Sequence, residues 1–220
     1  MRAVVFDLDG TLADTSGDLL AAANACFRAE GHGDVLGAAD AGTALRGGRA
    51  MLRAGFERLG IIRDEEEISR LYPQLLAAYA EDLSTHSRVY PGAMEAVERL
   101  KSDGFAVAIC TNKPEAHARQ LLQDLGVLTE FGALIGADTL SVRKPDPEPL
   151  REAARRAGGD PARCCLVGDS VTDRETARAA GVPSILVEFG PAAAQMAALE
   201  PEGLLARFDD LPGVVAGLNL

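Results

Sequence analysis

The chain has 220 residues, 47% of them hydrophobic, enough for one good core or for a core with a smaller insert. Its formal net charge of −11 excludes a nucleic-acid surface, which needs clustered basic residues. No uncharged apolar stretch approaches a membrane span, and Asp7 breaks the first apolar run too early for a leader peptide, so a cytoplasmic protein with no membrane partner is expected. The four cysteines, Cys26, Cys110, Cys164 and Cys165, lack metal-finger spacing and read as buried, reduced thiols.

In chain order, the first element is the apolar run AVVFD (3–7), the pattern of a central parallel strand. Asp7 and Asp9 follow it, and residues two apart in extended chain point the same way, so two carboxylates converge at one strand end. From Asp9 to Phe105 no strand is expected, only helical stripes: Leu19, Leu20, Ala23, Cys26 and Phe27; then Leu45, Met51, Leu52, Phe56 and Leu59; then Ile68, Leu71, Leu75, Leu76 and Tyr79. A crossover needs one helix, so this interval reads as an all-helical insert, residues 15–85, returning to the sheet through the helix that starts at Tyr90–Pro91. An insert that leaves and re-enters beside Asp9 is expected to act as a lid.

Beyond it, strand-like runs FAVAIC (105–110), ALIGA (133–137), CCLVGD (164–169) and SILVEF (184–189) alternate with helices at Pro114–Leu125, Pro149–Ala157 and Thr172–Ala180, the last stopped by Gly181 and Pro183. The Ala-rich stretch 192–198 also reads as a helix. This rhythm predicts an α/β fold: a doubly wound, Rossmann-like parallel sheet over residues 1–14 and 86–220, carrying the helical insert as a cap domain.

Ligands of such sheets bind at the carboxyl ends of the strands. There the chain places Asp7 and Asp9, then Thr111 and Asn112, then Lys144, then Asp169 with Asp173 in the next helical turn. Asp7, Asp169 and Asp173 are hard oxygen ligands suited to Mg²⁺. Asp7 is placed to attack a phosphoryl group, giving an aspartyl-phosphate, with Asp9 as general acid and base. Crowding by its neighbours is expected to favour the protonated form of Asp9. Lys144 and the Thr111 hydroxyl supply charge and a donor to the phosphoryl oxygens, and prolines 145, 147 and 149 stiffen the Lys144 loop. Lys144 alone would read as a solvated loop lysine, and Asp173 alone as an acid favoured by a helix dipole; their order along the chain raises both. An EF-hand reading of DLDG fails because Thr11 and Leu12 stand where an acid or amide and a glycine belong. Cys110 has no strand-end histidine to activate it, and His32, His86 and His117 receive no role.

DLDGT (7–11), TN (111–112), KP (144–145) and GDSVTD (168–173) resemble the four ordered motifs of the haloacid dehalogenase superfamily across nearly the whole chain. FDLDGTLADT, YPG, TNKP, RKPDPEPL and VGDS together look most like its phosphoglycolate phosphatases. The resemblance implies Asp7 as nucleophile, Asp9 as acid and base, Thr111 and Lys144 on phosphate, and Asp169 and Asp173 at Mg²⁺, to which Asp9 adds its backbone carbonyl. The name-giving dehalogenases lack the second aspartate, so Asp9 points to phosphate esters rather than carbon–halogen bonds, and the likeness to phosphoglycolate phosphatases implies 2-phosphoglycolate or a similar small phosphorylated metabolite. In related phosphatases a glycine-containing loop of the cap dips into the site; here LRGGRAM (45–51) sets Arg46 and Arg49 around Gly47–Gly48, a fork able to clamp a substrate carboxylate or, equally, a solvated helix start. The two arginines depart from the loop more usual in that family.

Phosphomutase, pyrophosphatase and nucleotide or sugar phosphatase activity remain open within the same chemistry. A non-catalytic Mg²⁺-binding signalling protein is the alternative of another class, but receiver domains are shorter and lack an acid two residues after the nucleophile. Either a monomer or a homodimer is compatible with the chain. With so negative a chain, Lys144, the cap arginines and Mg²⁺ must reverse the sign locally for an anionic substrate.

Overall fold

The computed structural model describes residues 1–191 and 193–220 and divides the chain into two compact units, one of Met1–Ala13 with Val89–Leu220 and one of Asp14–Arg88. In chain order the elements are β1 (Ala3–Phe6), β2 (Ala13–Asp14), α1 (Ser16–Ala29), α2 (Ala41–Ala44), α3 (Gly48–Arg58), α4 (Glu65–Glu81), β3 (Arg88–Val89), α5 (Ala93–Ser102), β4 (Ala106–Cys110), α6 (Glu115–Asp124), β5 (Ala133–Ile135), α7 (Glu148–Arg156), β6 (Cys164–Gly168), α8 (Val171–Ala180), β7 (Ser184–Val187), α9 (Ala193–Met196), β8 (Gly203–Leu205) and α10 (Leu211–Ala216).

The first unit is a six-stranded parallel sheet in the order β5-β4-β1-β6-β7-β8. Its register sets Val4 beside Val107 on one side and Cys165 on the other. Side chains alternate as the pleat requires. Val4, Phe6, Val107, Ile109, Cys165 and Val167 pack with α5, α6 and α10, whereas Ala3, Val5, Ala106, Ala108 and Leu166 pack with α7 and α8. Both faces are therefore buried, which is why these strands read as continuous apolar runs. The chain goes from β1 through β4 to the β5 edge, then crosses back to β6 on the far side of β1. The reversal of strand order falls at β1, and a crevice for ligands opens at such a switch point.

The second unit is built from α1, α3 and α4, whose apolar stripes bury Phe27, Met51, Leu52, Phe56, Ile68, Leu75 and Tyr79 in one core. Phe27 and Phe56 meet edge to face at 5.2 Å. Gly55 makes this possible, because a Cβ there would lie 2.1 Å from Phe27 Cζ. Helix α4 opens with a reciprocal capping box between Asp64 and Glu67. The buried Asp18 carboxylate accepts the backbone N–H of His86 and the N–H and hydroxyl of Ser87, so the start of α1 is tied to the segment that ends the unit.

Two expectations need correction. The interval from Asp9 to Phe105 does contain strands: β2 and β3 form a two-stranded sheet, each too short to show an alternation in sequence. The sheet also gains β8, which the sequence does not reveal because Gly203–Leu205 is too short a run to show a period. Of the Ala-rich segment, Ala193–Met196 is helical and Ala197–Leu199 tightens to a 3-10 turn before Glu200, at φ 51; Ala192 lies outside the described residues. No helix among the described residues is long and apolar enough to cross a membrane.

Candidate active site

The parallel ladder continues one residue past β1, where the Asp7 N–H donates to the Val167 carbonyl at 2.9 Å and pins Asp7 against the end of β6. Asp169 leaves β6 beside it. Ser170 caps α8, and its hydroxyl hydrogen-bonds Asp173 in the first turn. Gly168 is required here: a Cβ would stand 2.3 Å from Asp173 Cβ, so only glycine lets α8 bring its acid to the strand end. Ligand oxygens of Asp7, Asp169 and Asp173, all three buried, lie within 4.8 Å of one another.

Lys144, buried in the loop after β5, places its Nζ 2.6 Å from Asp173 Oδ1 and 2.9 Å from Asp7 Oδ1. The bond to Asp173 is well aligned, but Asp7 Oδ1, despite its closeness to the lysine, has no aligned hydrogen bond. Burial would lower the Lys144 ammonium, yet the carboxylates of Asp173 and Asp7 outweigh it and hold the lysine charged. For Asp7 the balance goes the other way: burial pushes its carboxyl from 3.8 up to about 6, Lys144 opposes, and Asp173 and Asp9 add to the push. Burial, then Asp7 and Asp173, also raise Asp169 well above the carboxylate range.

These features answer whether the residues fit a divalent cation. Three buried acids share one lysine, two of them are destabilised as anions, and one oxygen lacks an aligned donor. A hard cation bound by carboxylate oxygens removes all three defects, so the donor set fits Mg²⁺.

Asp9 stands apart from that group of three. Its Oδ1 accepts from Lys113 Nζ at 2.8 Å. Asp9 faces the Lys113 ammonium and is among the acids that push Asp7 up. Thr111 ends β4, buried, with its N–H on the Ile135 carbonyl and its hydroxyl accepting the Lys113 N–H at 3.2 Å. Asn112, expected to touch substrate, gives its amide to the Lys144 carbonyl at 3.0 Å and so braces the lysine loop.

Asp7, Asp9, Thr111, Asn112, Lys144, Asp169 and Asp173 thus belong to one unit and gather at the ends of β1, β4 and β6. Arg46, Gly48 and Arg49 belong to the helical unit. There Arg46 donates to the Thr43 hydroxyl, Gly48 opens α3 against Tyr72, and the Arg49 guanidinium lies 4.0 Å over the Tyr72 ring. Two side chains of the site escaped the sequence reading. Thr11 donates to Asp169 Oδ1 at 3.3 Å, and Lys113, only 6% exposed, reaches Asp9. Both lie inside the quoted motifs, Thr11 two residues beyond Asp9 and Lys113 one beyond Asn112. Cys110 is excluded as a nucleophile, since burial pushes its thiol up to about 12.

A doubly wound sheet with acids and a lysine at the switch point defines a class of phosphate- and metal-handling α/β proteins. Comparison with known proteins narrows the class. The sequence pattern of the haloacid dehalogenase-like hydrolases matches residues 1–181. The phosphoglycolate phosphatase of Mesorhizobium japonicum is 41% identical over 208 residues, 94% of this chain and 92% of that protein. That of Rhodospirillum rubrum is 38% identical over 214 residues, 95% of this chain and 87% of that protein. The crystal structure of a predicted phosphoglycolate phosphatase from Haemophilus somnus 129pt superposes with a TM-score of 0.84 at 26% identity, covering 97% of each chain. The chain belongs to the haloacid dehalogenase-like hydrolase family.

Proposed function

We propose that this hydrolase is a Mg²⁺-dependent phosphomonoesterase that works through an aspartyl-phosphate, acting on 2-phosphoglycolate or a similarly small phosphorylated acid. The observation that carries the reading is the divergence of the two acids at the end of β1. Asp7 sits in the buried group of three carboxylates against Lys144, and Asp9 stands outside it. The names of the phosphoglycolate phosphatases it resembles support the substrate.

In the first half-reaction an Asp7 carboxylate oxygen bonds to phosphorus as the ester P–O bond breaks. The electron pair of that bond passes to the leaving oxygen, which takes the proton of Asp9. In the second half-reaction Asp9 removes a proton from water as the water oxygen bonds to phosphorus. The Asp7–phosphorus bond then breaks and its electron pair returns to the carboxylate. Lys144 and Thr111 hold the phosphoryl oxygens, and Asn112 keeps the Lys144 loop in place. Asp7, Asp169 and Asp173, with the Asp9 carbonyl, hold Mg²⁺, which when bound neutralises charge on the phosphoryl oxygens. The inserted helical unit, residues 15–85, is read as the cap that selects the substrate, with Arg46, Gly48 and Arg49 meeting its carboxylate. Four buried free thiols suit a reducing compartment, the cytoplasm.

The test is phosphate release, with and without chelator, from 2-phosphoglycolate, hexose phosphates, pyrophosphate, a nucleotide and an aryl phosphate. Turnover of 2-phosphoglycolate well above the others, abolished by chelator, is expected. Preference for another ester discards the substrate and keeps the chemistry. A single phosphate retained per chain, without turnover, points to a receiver-like protein.

A further inference from the structure

The mechanism above gives Lys113 no part, although it is one of only two buried lysines noted at the site, and its ammonium is spent on Asp9. We infer that Lys113 is a positioning residue that holds the Asp9 carboxylate away from the metal-binding acids and in place for proton transfer. This rests on Asp9 being the acid and base.

The two lysines partner three of the four acids, and Asp169 takes the Thr11 hydroxyl instead. Lys144 lies between Asp7 and Asp173, and Lys113 takes Asp9. Asp9 leaves the same strand end as Asp7, two residues on, so a divalent cation held by Asp7, Asp169 and Asp173 attracts its carboxylate as well. A carboxylate drawn into that set would spend its oxygens on the cation and lose its freedom to carry a proton. A fixed ammonium 2.8 Å from Oδ1 gives Asp9 another partner. Lys113 is suited to the task because its backbone is held on both sides. Its N–H donates to Thr111 Oγ1 at 3.2 Å, and its carbonyl accepts the Ala137 N–H at 2.9 Å. The loop after β4 is thereby tied to the end of β5, and the long side chain crosses from that anchor to β1. Its side chain is 4% exposed and that of Asp9 19%, so the contact is shielded from competing water on the lysine side and open toward a reactant on the acid side.

The experiment compares Lys113→Met, Lys113→Arg and Asp9→Asn with the parent protein in Mg²⁺. It reads kcat, KM, the first-turnover rate and the melting temperature, on 2-phosphoglycolate and on dinitrophenyl phosphate, whose leaving group needs no proton. For Lys113→Met a fall in kcat on the alkyl ester on the order of 10²-fold is expected, with KM nearly unchanged and the first turnover of the aryl ester kept. Lys113→Arg should recover much of the loss, since a guanidinium offers the same carboxylate a charged donor. Unchanged kcat in Lys113→Met while Asp9→Asn is impaired overturns the inference. So does a rise in KM confined to the carboxylated ester, which would make Lys113 a substrate contact. Should Lys113→Met fail to fold, Lys113→Gln decides on the same readouts: loss confined to the alkyl ester supports the role, and no loss or equal loss on both esters overturns it. An Asp9→Asn protein as active as the parent removes the proton-transfer reading itself.

Discussion

The acids of the sheet unit and those of the helical unit are held in opposite ways. At the sheet end, Asp7, Asp169 and Asp173 are buried together, and burial raises Asp7 and Asp169. In the helical unit, apart from the buried Asp18 with its backbone and hydroxyl donors, acids pair with arginines nearer the solvent: Asp40 on Arg58, Glu65 on Arg53, Glu67 on Arg63. There the hydrogen bond from Arg58 brings Asp40 down to about 2, and similar bonds lower Glu65 and Glu67. The first arrangement stores electrostatic strain that a cation or a phosphoryl group relieves. The second adds little to stability, because exposed pairs are screened by solvent. Apolar packing, not charge, therefore holds the helical unit together, whereas the sheet unit sacrifices stability at one end for chemistry.

The largest effect should come from cutting the sheet-end network at its shared cation. Lys144→Met leaves Asp7 and Asp173 without a counter-charge and should cost about 3–5 kcal/mol of stability in metal-free protein. It should also reduce turnover by roughly 10²-fold or more, as removal of a preorganised donor does. Denaturant unfolding and phosphate release measure the two. A protein as stable and active as the parent would show that the lysine is not the keystone of that cluster.

In the helical unit the comparable loss should come from an apolar residue. Phe27→Ala empties the ring from a fully buried position against Phe56 and should cost about 3–5 kcal/mol. Gly55→Ala acts on the same contact by overpacking, at about 1–3 kcal/mol, because its Cβ would overlap the Phe27 ring. Arg53→Ala, which removes only an exposed pair, should leave the unfolding midpoint within experimental scatter. If Arg53→Ala costs as much as Phe27→Ala, the contrast between the two units fails.

Most of the sheet was legible in the sequence because both its faces are covered, so β1, β4 and β6 are unbroken apolar runs followed by a polar residue. Asp7 and Asp169 were legible for the same reason, standing where β1 and β6 stop. Lys113 was not. A lysine in a strand-end loop is most often solvated, and only the path of the chain past Ala137 shows this one turned inward onto Asp9. Asp18 was hidden in another way. An acid in the first turn of a helix is already accounted for by the dipole, and its real partners, His86 and Ser87, lie 68 and 69 residues away. Strand β8 and the β2–β3 pair were illegible because two or three residues carry no period.

A pH series sharpens the contrast through its sign. Asp7 has a folded pKa of about 6, above its ordinary 3.8, so the fold binds a proton more tightly than the unfolded chain. Its contribution is fully favourable below pH ~4 and is lost as pH rises toward ~6, about 3 kcal/mol in all. Asp40, lowered to about 2, contributes in the reverse sense: its stabilisation is present above pH ~4 and is lost as pH falls through ~2. Melting of the chelated protein from pH 4 to 7 should therefore show a decline that Asp7→Asn reduces, Asp169 supplying the remainder, and that added Mg²⁺ abolishes. A flat profile in the chelated parent would mean that the buried acids are not strained.

A small effect on stability, and the most informative about substrate, belongs to Arg49. Its guanidinium lies 4.0 Å over the half-buried Tyr72 ring, a contact worth about 0.5–2 kcal/mol. A guanidinium carries planar N–H donors able to clamp a carboxylate. If those donors meet the substrate, Arg49→Ala should raise KM for 2-phosphoglycolate about tenfold or more and leave KM for an aryl phosphate nearly unchanged. Arg46→Ala, whose guanidinium is already engaged with the Thr43 hydroxyl, should show a weaker form of the same selectivity. Equal changes on both esters would assign the arginines to the surface of the helical unit, in the same company as Arg53, and leave recognition of the carboxylate to the lysines at the strand ends.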